Sequence, residues 1–109
     1  MRSTIKQGRD IVTLINVFTV EPKNQQRLVD ILVEATEKTM RHLPGFISAN
    51  IHQSLDGACV VNYAQWRRRE DFEAMLKQPE ALPHMKAATE MAKAEPRLYE
   101  VVHVDNIEE

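Results

Sequence analysis

Cysteine is nearly missing from this chain. Cys59 stands alone, so no internal disulfide forms, and a reducing cytoplasm is the expected compartment. Glycine is scarce as well: three in 109 residues leave no glycine-rich loop to cradle a phosphate. No apolar run approaches the roughly 18 residues of a membrane-spanning helix. The opening "MRSTIKQGRD" is too polar for the core of a signal peptide, and residues 1–10 read as a flexible N-terminal arm. An excess of one charge is also lacking. Lys and Arg number 14 and Asp and Glu 16, interspersed, and a net charge of −2 points away from nucleic acid and anionic membranes. The histidines (His42, His52, His84 and His103) show no metal-ligand spacing, and neither a nucleophile elbow nor a flavin fingerprint occurs. No metal and no organic cofactor is expected.

What remains is an ordinary soluble composition, 43% hydrophobic and 28% charged, enough for one domain with a modest core over residues 11–109. "IVTLINVFTV", from Ile11 to Val20, is rich in β-branched residues and apolar on both faces, the pattern of a strand covered on two sides. A helix follows, with Leu28, Ile31, Leu32, Ala35 and Thr39 at helical spacing, and "HLPG" stops it. Phe46 to Gln53 and Ala58 to Trp66 read as a strand pair joined at Asp56-Gly57, whose type I′ turn asks for positive φ at both residues. "RRREDFEAML" opens a second helix, and a third helical piece runs from Leu82 to Ala92. Pro96 is expected to end that piece, with "RLYEVVHV" as the last strand. The order β-α-β-β-α-β is the α+β ferredoxin-like plan, with an antiparallel sheet in the order 4-1-3-2 and helices on one face.

Alternation then sorts the side chains. With Asp56 and Gly57 as the loop, Ile51 faces Asn62, Ala49 faces Ala64 and Ile47 faces Trp66. One hairpin face carries Ile47, Ala49, Ile51, Val60, Asn62, Ala64 and Trp66, and belongs against the helices. The other carries Phe46, Val61 and Tyr63 among polar residues. With Ile15 and Val17 it needs a cover, for which a second copy of the chain is the economical choice. On the first strand Leu14, Asn16 and Phe18 share a face. Two amides and an indole N–H therefore enter one apolar layer beside small residues. A buried amide without partners costs roughly 1–3 kcal/mol. Either the amides bond each other or a helix terminus, or they stud a pocket for a ligand.

The segments "INVFTVEP", "LPGFISANIHQSLDG", "VVNYAQW" and "REDFEAML" resemble the antibiotic biosynthesis monooxygenase family, over about Ile11 to Val104. The resemblance implies a homodimer in which two sheets meet to form an α/β barrel. In the branch that oxidises polyketide anthrones with O₂ and neither metal nor flavin, it implies catalytic roles for Asn16, Asn62 and Trp66. The faces and the resemblance together place Leu14, Phe18, Ala49, Ile51, Ala64, Phe72, Met75, His84 and Lys86 around a small aromatic substrate, although a lone His84 after Pro83 reads first as a surface or capping residue. Ile51 and Phe72 replace the hydroxyl-bearing aromatics of that branch, and Lys86 replaces an arginine. A haem-degrading branch fits less well. Its helix tryptophan is Met75 here, its iron-ligating histidine falls on Met85, and His84 is one residue out of register. Other readings are an isomerase-type or non-catalytic dimeric barrel that binds a small molecule.

Overall fold

The computed structural model describes residues 11–107, so the proposed arm at residues 1–10 lies outside the described residues. Four strands form one antiparallel sheet: β1 (Val12–Val20), β2 (Phe46–Gln53), β3 (Cys59–Trp66) and β4 (Ala92–Tyr99), in the order β2-β3-β1-β4. This is the expected ferredoxin-like α+β order. Three helices accompany it: α1 (Gln25–Lys38), α2 (Arg69–Met75) and α3 (Leu82–Met91). Pro22 opens a 3-10 turn ahead of α1, and Pro83 lies in the first turn of α3, where a missing N–H costs nothing.

Three expectations need correction. Pro96 does not stop a helix. The chain passes from α3 straight into β4 at Ala92, and Pro96 lies inside β4 opposite Asn16. Among the described residues β4 is an edge strand paired with β1 alone, so a residue without an N–H is tolerated there. The hairpin loop is not a two-residue I′ turn. Ser54 O accepts from Gly57 N–H at 3.1 Å, and only Gly57 has positive φ, +82°. Asp56 stays at negative φ, and its carboxylate accepts from Ala58 N–H (3.0 Å) and Ser54 Oγ (2.7 Å).

The hairpin register does hold in pairing Ile51 with Asn62 and Ala49 with Ala64, but a bulge between Phe46 and Ser48 breaks it further on. Phe46, not Ile47, is the partner of Trp66. Phe46 therefore joins the helix-side core and packs edge-on against the indole, with ring centroids 5.5 Å apart at 87°. It does not belong to the outer face. On that outer face the pair Thr13 and Gln65 is fully buried, with Gln65 Nε2 donating to Thr13 Oγ1 at 2.9 Å.

The helix-side core is divided. One cluster gathers Leu14, Ala64, Trp66, Phe72, Met75 and Ala81. The other gathers Phe18, Val20, Leu28, Leu32, Val60 and Ala88. The division follows the pleat: on β1, Asn16 lies between Leu14 and Phe18 on the same face, and on β3, Asn62 lies between Val60 and Ala64.

Two turns hold the sheet ends. Gly45, at φ +83°, packs so close to Asp71 that an added Cβ would overlap that carboxylate. Its carbonyl accepts from Arg67 N–H at 2.7 Å, fixing the exit of β3 beside Trp66. At Gly57 a Cβ would meet only the Pro22 ring, at 3.3 Å. Gly57→Ala is therefore expected to cost about 1–2 kcal/mol from left-handed backbone strain, and Gly45→Ala clearly more. Equilibrium urea unfolding of both variants checks the ranking. Equal losses would show that Asp71 yields freely.

Candidate active site

Between the two core clusters lies a cavity of about 410 Å³, within the range typical of small-molecule sites. Its floor is the helix-facing side of the sheet: Leu14, Asn16 and Phe18 from β1, Asn62 from β3, and Ala94, Pro96 and Leu98 from β4. Leu32, Ala35 and Met40 wall it from the side of α1. Phe72 and Met75 come from α2, and His84, Met85 and Ala88 from α3. The lining is mostly apolar, with a few polar groups at defined points.

Asn16 and Asn62 are direct cross-strand partners on the central strands, so their amides lie side by side on the floor. Neither is satisfied there. Asn16 Oδ1 and Asn62 Oδ1 are buried and have no hydrogen-bond partner among the described residues. Buried amide oxygens are almost always bonded. Here two adjacent exceptions both line a cavity, where a ligand's polar groups would reach them. An amide can also rotate to present its NH₂, so the pair can donate to a ligand oxygen as well as accept.

Trp66 stands differently. Its Nε1 is also buried without a partner among the described residues, but the residue does not line the cavity. It sits in the cluster with Leu14, Phe72 and Met75, which do. Of the other sequence candidates, Leu14, Phe18, Phe72, Met75 and His84 line the cavity. Ala49, Ile51 and Ala64 lie on the same sheet face without reaching it, and Lys86 is solvent-exposed on α3. His84 approaches Thr39, with Nε2 and Oγ1 3.3 Å apart.

Sequence reasoning missed most of the β4 wall, because reading Pro96 as a helix stop began the last strand at Arg97 and left Ala94 and Pro96 out of the inward row that Leu98 completes. It also took Leu32 and Ala35 only as core. The absence of larger side chains at Ala35, Ala88 and Ala94 was the available signal that these faces do not close on one another. Among the described residues, no three His, Cys, Asp or Glu side chains gather as a metal-ligand set.

The family model for antibiotic biosynthesis monooxygenases matches residues 11–91, about three quarters of the chain. The chain belongs to that family. A tetracenomycin-F1 monooxygenase from Streptomyces glaucescens is 46% identical over 101 residues, which cover 93% of this chain and 90% of that protein. Likeness at that level over nearly all of both chains makes this protein a monooxygenase. A variant of SnoaB, a cofactor-independent oxygenase from Streptomyces nogalater, superposes with a TM-score of 0.76 at 25% identity, covering 88% of this chain and 97% of that one. A Streptomyces coelicolor monooxygenase solved with nanaomycin D shares the fold, with a TM-score of 0.81 at 24% identity over 89% and 92% of the two chains.

Because the Asn16 amide is unsatisfied, replacing it with a similar-sized apolar residue removes a desolvation penalty of roughly 1–3 kcal/mol. Asn16→Leu is therefore expected to unfold at an equal or higher temperature than the wild type. Thermal melts followed by circular dichroism check this. A lower melting temperature would mean that the amide holds the sheet together.

Proposed function

We propose that this monooxygenase oxygenates a polycyclic phenolic polyketide of the anthrone type, with O₂ and without a bound cofactor. The observation that carries the reading is the adjacent unsatisfied pair Asn16 and Asn62 on the floor of an apolar cavity. Support for the substrate class comes from the 46% identical tetracenomycin-F1 monooxygenase, and for cofactor independence from the likeness to SnoaB. The net change is a diaryl methylene plus O₂ to a ketone plus water. The substrate itself supplies the electrons: once the methylene or a conjugated phenol has lost a proton, the ring system is electron-rich enough to reduce O₂.

Such a reaction asks little of the protein beyond environment. The ring carbonyl para to the methylene becomes an oxyanion as the proton leaves. Amide NH₂ groups from Asn16 and Asn62 donate to it, and the apolar walls lower the local dielectric and strengthen both bonds. Leu14, Phe18, Phe72 and Met75 sandwich a flat ring and keep water off the carbanion. Trp66 takes a supporting role in this reading. Its unsatisfied N–H lies behind the wall, within the cluster that shapes one end of the cavity.

Oxygen uptake on hydroxyanthrones by chelator-treated protein tests the reading. Asn62→Ala is expected to lower kcat by about 10²-fold or more, the scale of losing one oxyanion donor. Full turnover by Asn62→Ala would contradict the proposed role. Absence of uptake on every anthrone and hydroquinone offered to the wild type would contradict the substrate class.

The protein is further proposed to work as a homodimer joined through the outer sheet face. Ile15, Val17, Val61 and Tyr63 remain only half-buried there, which favours a second copy as their cover. Sedimentation at micromolar concentration is expected to give a species of twice 12.6 kDa. A clean monomer would contradict this assembly.

A further inference from the structure

Asn16 and Asn62 can hold an oxyanion, but a neutral amide does not take a proton from carbon, and the proposed reaction begins with that step. Among the described residues, the ionisable side chains lining the cavity are His84 and Arg97. Arg97 pairs with Ile15, in register with the outer face of the sheet, and a guanidinium is no base in any case. Thr36 and Thr89 also line the cavity, but their hydroxyls bond back to their own helices, Thr36 Oγ1 to Leu32 O at 2.9 Å and Thr89 Oγ1 to Met85 O at 3.0 Å. His84 alone joins basicity to position. It stands on α3, in the helical wall of the cavity whose sheet floor carries the amides.

We propose that His84 is the general base of the reaction, oriented by Thr39; the assignment rests on the oxygenase reading above. Thr39 Oγ1, on a buried residue at the end of α1, lies 3.3 Å from His84 Nε2. With the proton on Nε2, the threonine oxygen accepts it, and Nδ1 carries the free lone pair. The exposed Glu34 carboxylate stands on α1 and bonds Lys38. Its pKa is held below the usual glutamate range mainly by its hydrogen bond to Lys38 and the Lys38 charge, with a smaller contribution from His84.

The two poles also orient the substrate. A ring carbonyl on Asn16 and Asn62 directs the para methylene across the cavity toward His84. His84 takes one methylene proton, and the electron pair moves through the ring to the carbonyl oxygen. The carbanion carbon forms a bond to O₂, which is reduced to a peroxide anion. The His84 imidazolium returns its proton to give the hydroperoxide. His84 then takes the remaining proton from that carbon while the O–O bond breaks. The departing hydroxide and that proton make water, and the carbon becomes a ketone. The substrate class this implies has a carbonyl and an acidic carbon on opposite edges of one ring.

The test separates proton transfer from oxygenation. Under anaerobic conditions, 1,8-dihydroxyanthrone is mixed with wild type, His84→Gln and Asn62→Leu, and its ionisation is read from the visible absorbance. Wild type is expected to ionise the bound probe at neutral pH, and His84→Gln to leave it neutral with an unchanged melting temperature. In air, His84→Gln should lose about 10²-fold or more in kcat, and added imidazole should restore part of it in His84→Ala. Thr39→Val should slow wild type but not His84→Gln. If the probe stays neutral in wild type, or ionises equally in His84→Gln, the base assignment is overturned, and oxygen uptake that depends on Asn62 would still stand. If the probe ionises only when His84 is present but no O₂ is consumed, the base assignment holds and the oxygenase reading fails.

Discussion

The structure turns on one row of residues across the sheet. Ile51, Asn62, Asn16 and Pro96 are successive partners from β2 to β4. On either side of that row the core closes in the usual way, around Trp66 at one end and around Leu28 and Val60 at the other. In the row itself, two amides stand where branched apolar side chains would have knitted the clusters into one. Packing cannot proceed over two unsatisfied amides without a large desolvation cost, so the helices bridge the gap at its edges and leave a cavity. The same pair thus explains the divided core, the placement of the pocket and its polarity.

That arrangement suits a reaction in which charge moves within the ligand. A fixed cation at the floor would bind an anionic substrate tightly before any chemistry occurs. Neutral amides in an apolar cavity interact weakly with a carbonyl and strongly with the oxyanion it becomes, and only the difference accelerates the reaction. In the proposed reaction, the half-buried His84 on α3 handles the proton while the sheet amides hold the carbonyl oxygen. The walls of Leu, Phe and Met side chains read shape rather than hydroxyl position. This fits the absence of an aromatic hydroxyl at Phe72.

Much of this was legible in the sequence, for identifiable reasons. Strict alternation in "INVF" and "VVNYAQW" placed both amides on the helix-side face, and the hairpin register that pairs Ile51 with Asn62 held despite a different turn. Two local irregularities were not legible. The bulge at Phe46 and Ser48 moves an aromatic from one face to the other, and no residue there is a glycine that would announce it. Pro96 reads as a terminator in any helical window, and only its place on an edge strand makes it a strand residue. The pairing of His84 with Thr39 spans 45 positions and depends on how α3 leans on α1, which no local pattern encodes. Trp66 was correctly placed on the inner face, but alternation alone gives no depth. It therefore left open that the indole meets Phe46 edge-on behind the cavity wall rather than lying within the cavity.

The central claim is that Asn16 and Asn62 stand open on the cavity floor to hold a ligand oxygen. The most direct measurement is the carbonyl stretching frequency of bound anthraquinone, a flat ligand with ring carbonyls and no acidic proton. Difference infrared spectroscopy would compare wild type with the double variant Asn16→Leu, Asn62→Leu. The account predicts a carbonyl band at clearly lower frequency in wild type than in apolar solvent, returning to the solvent value in the double variant. An identical band in both proteins, at the solvent position, would contradict it.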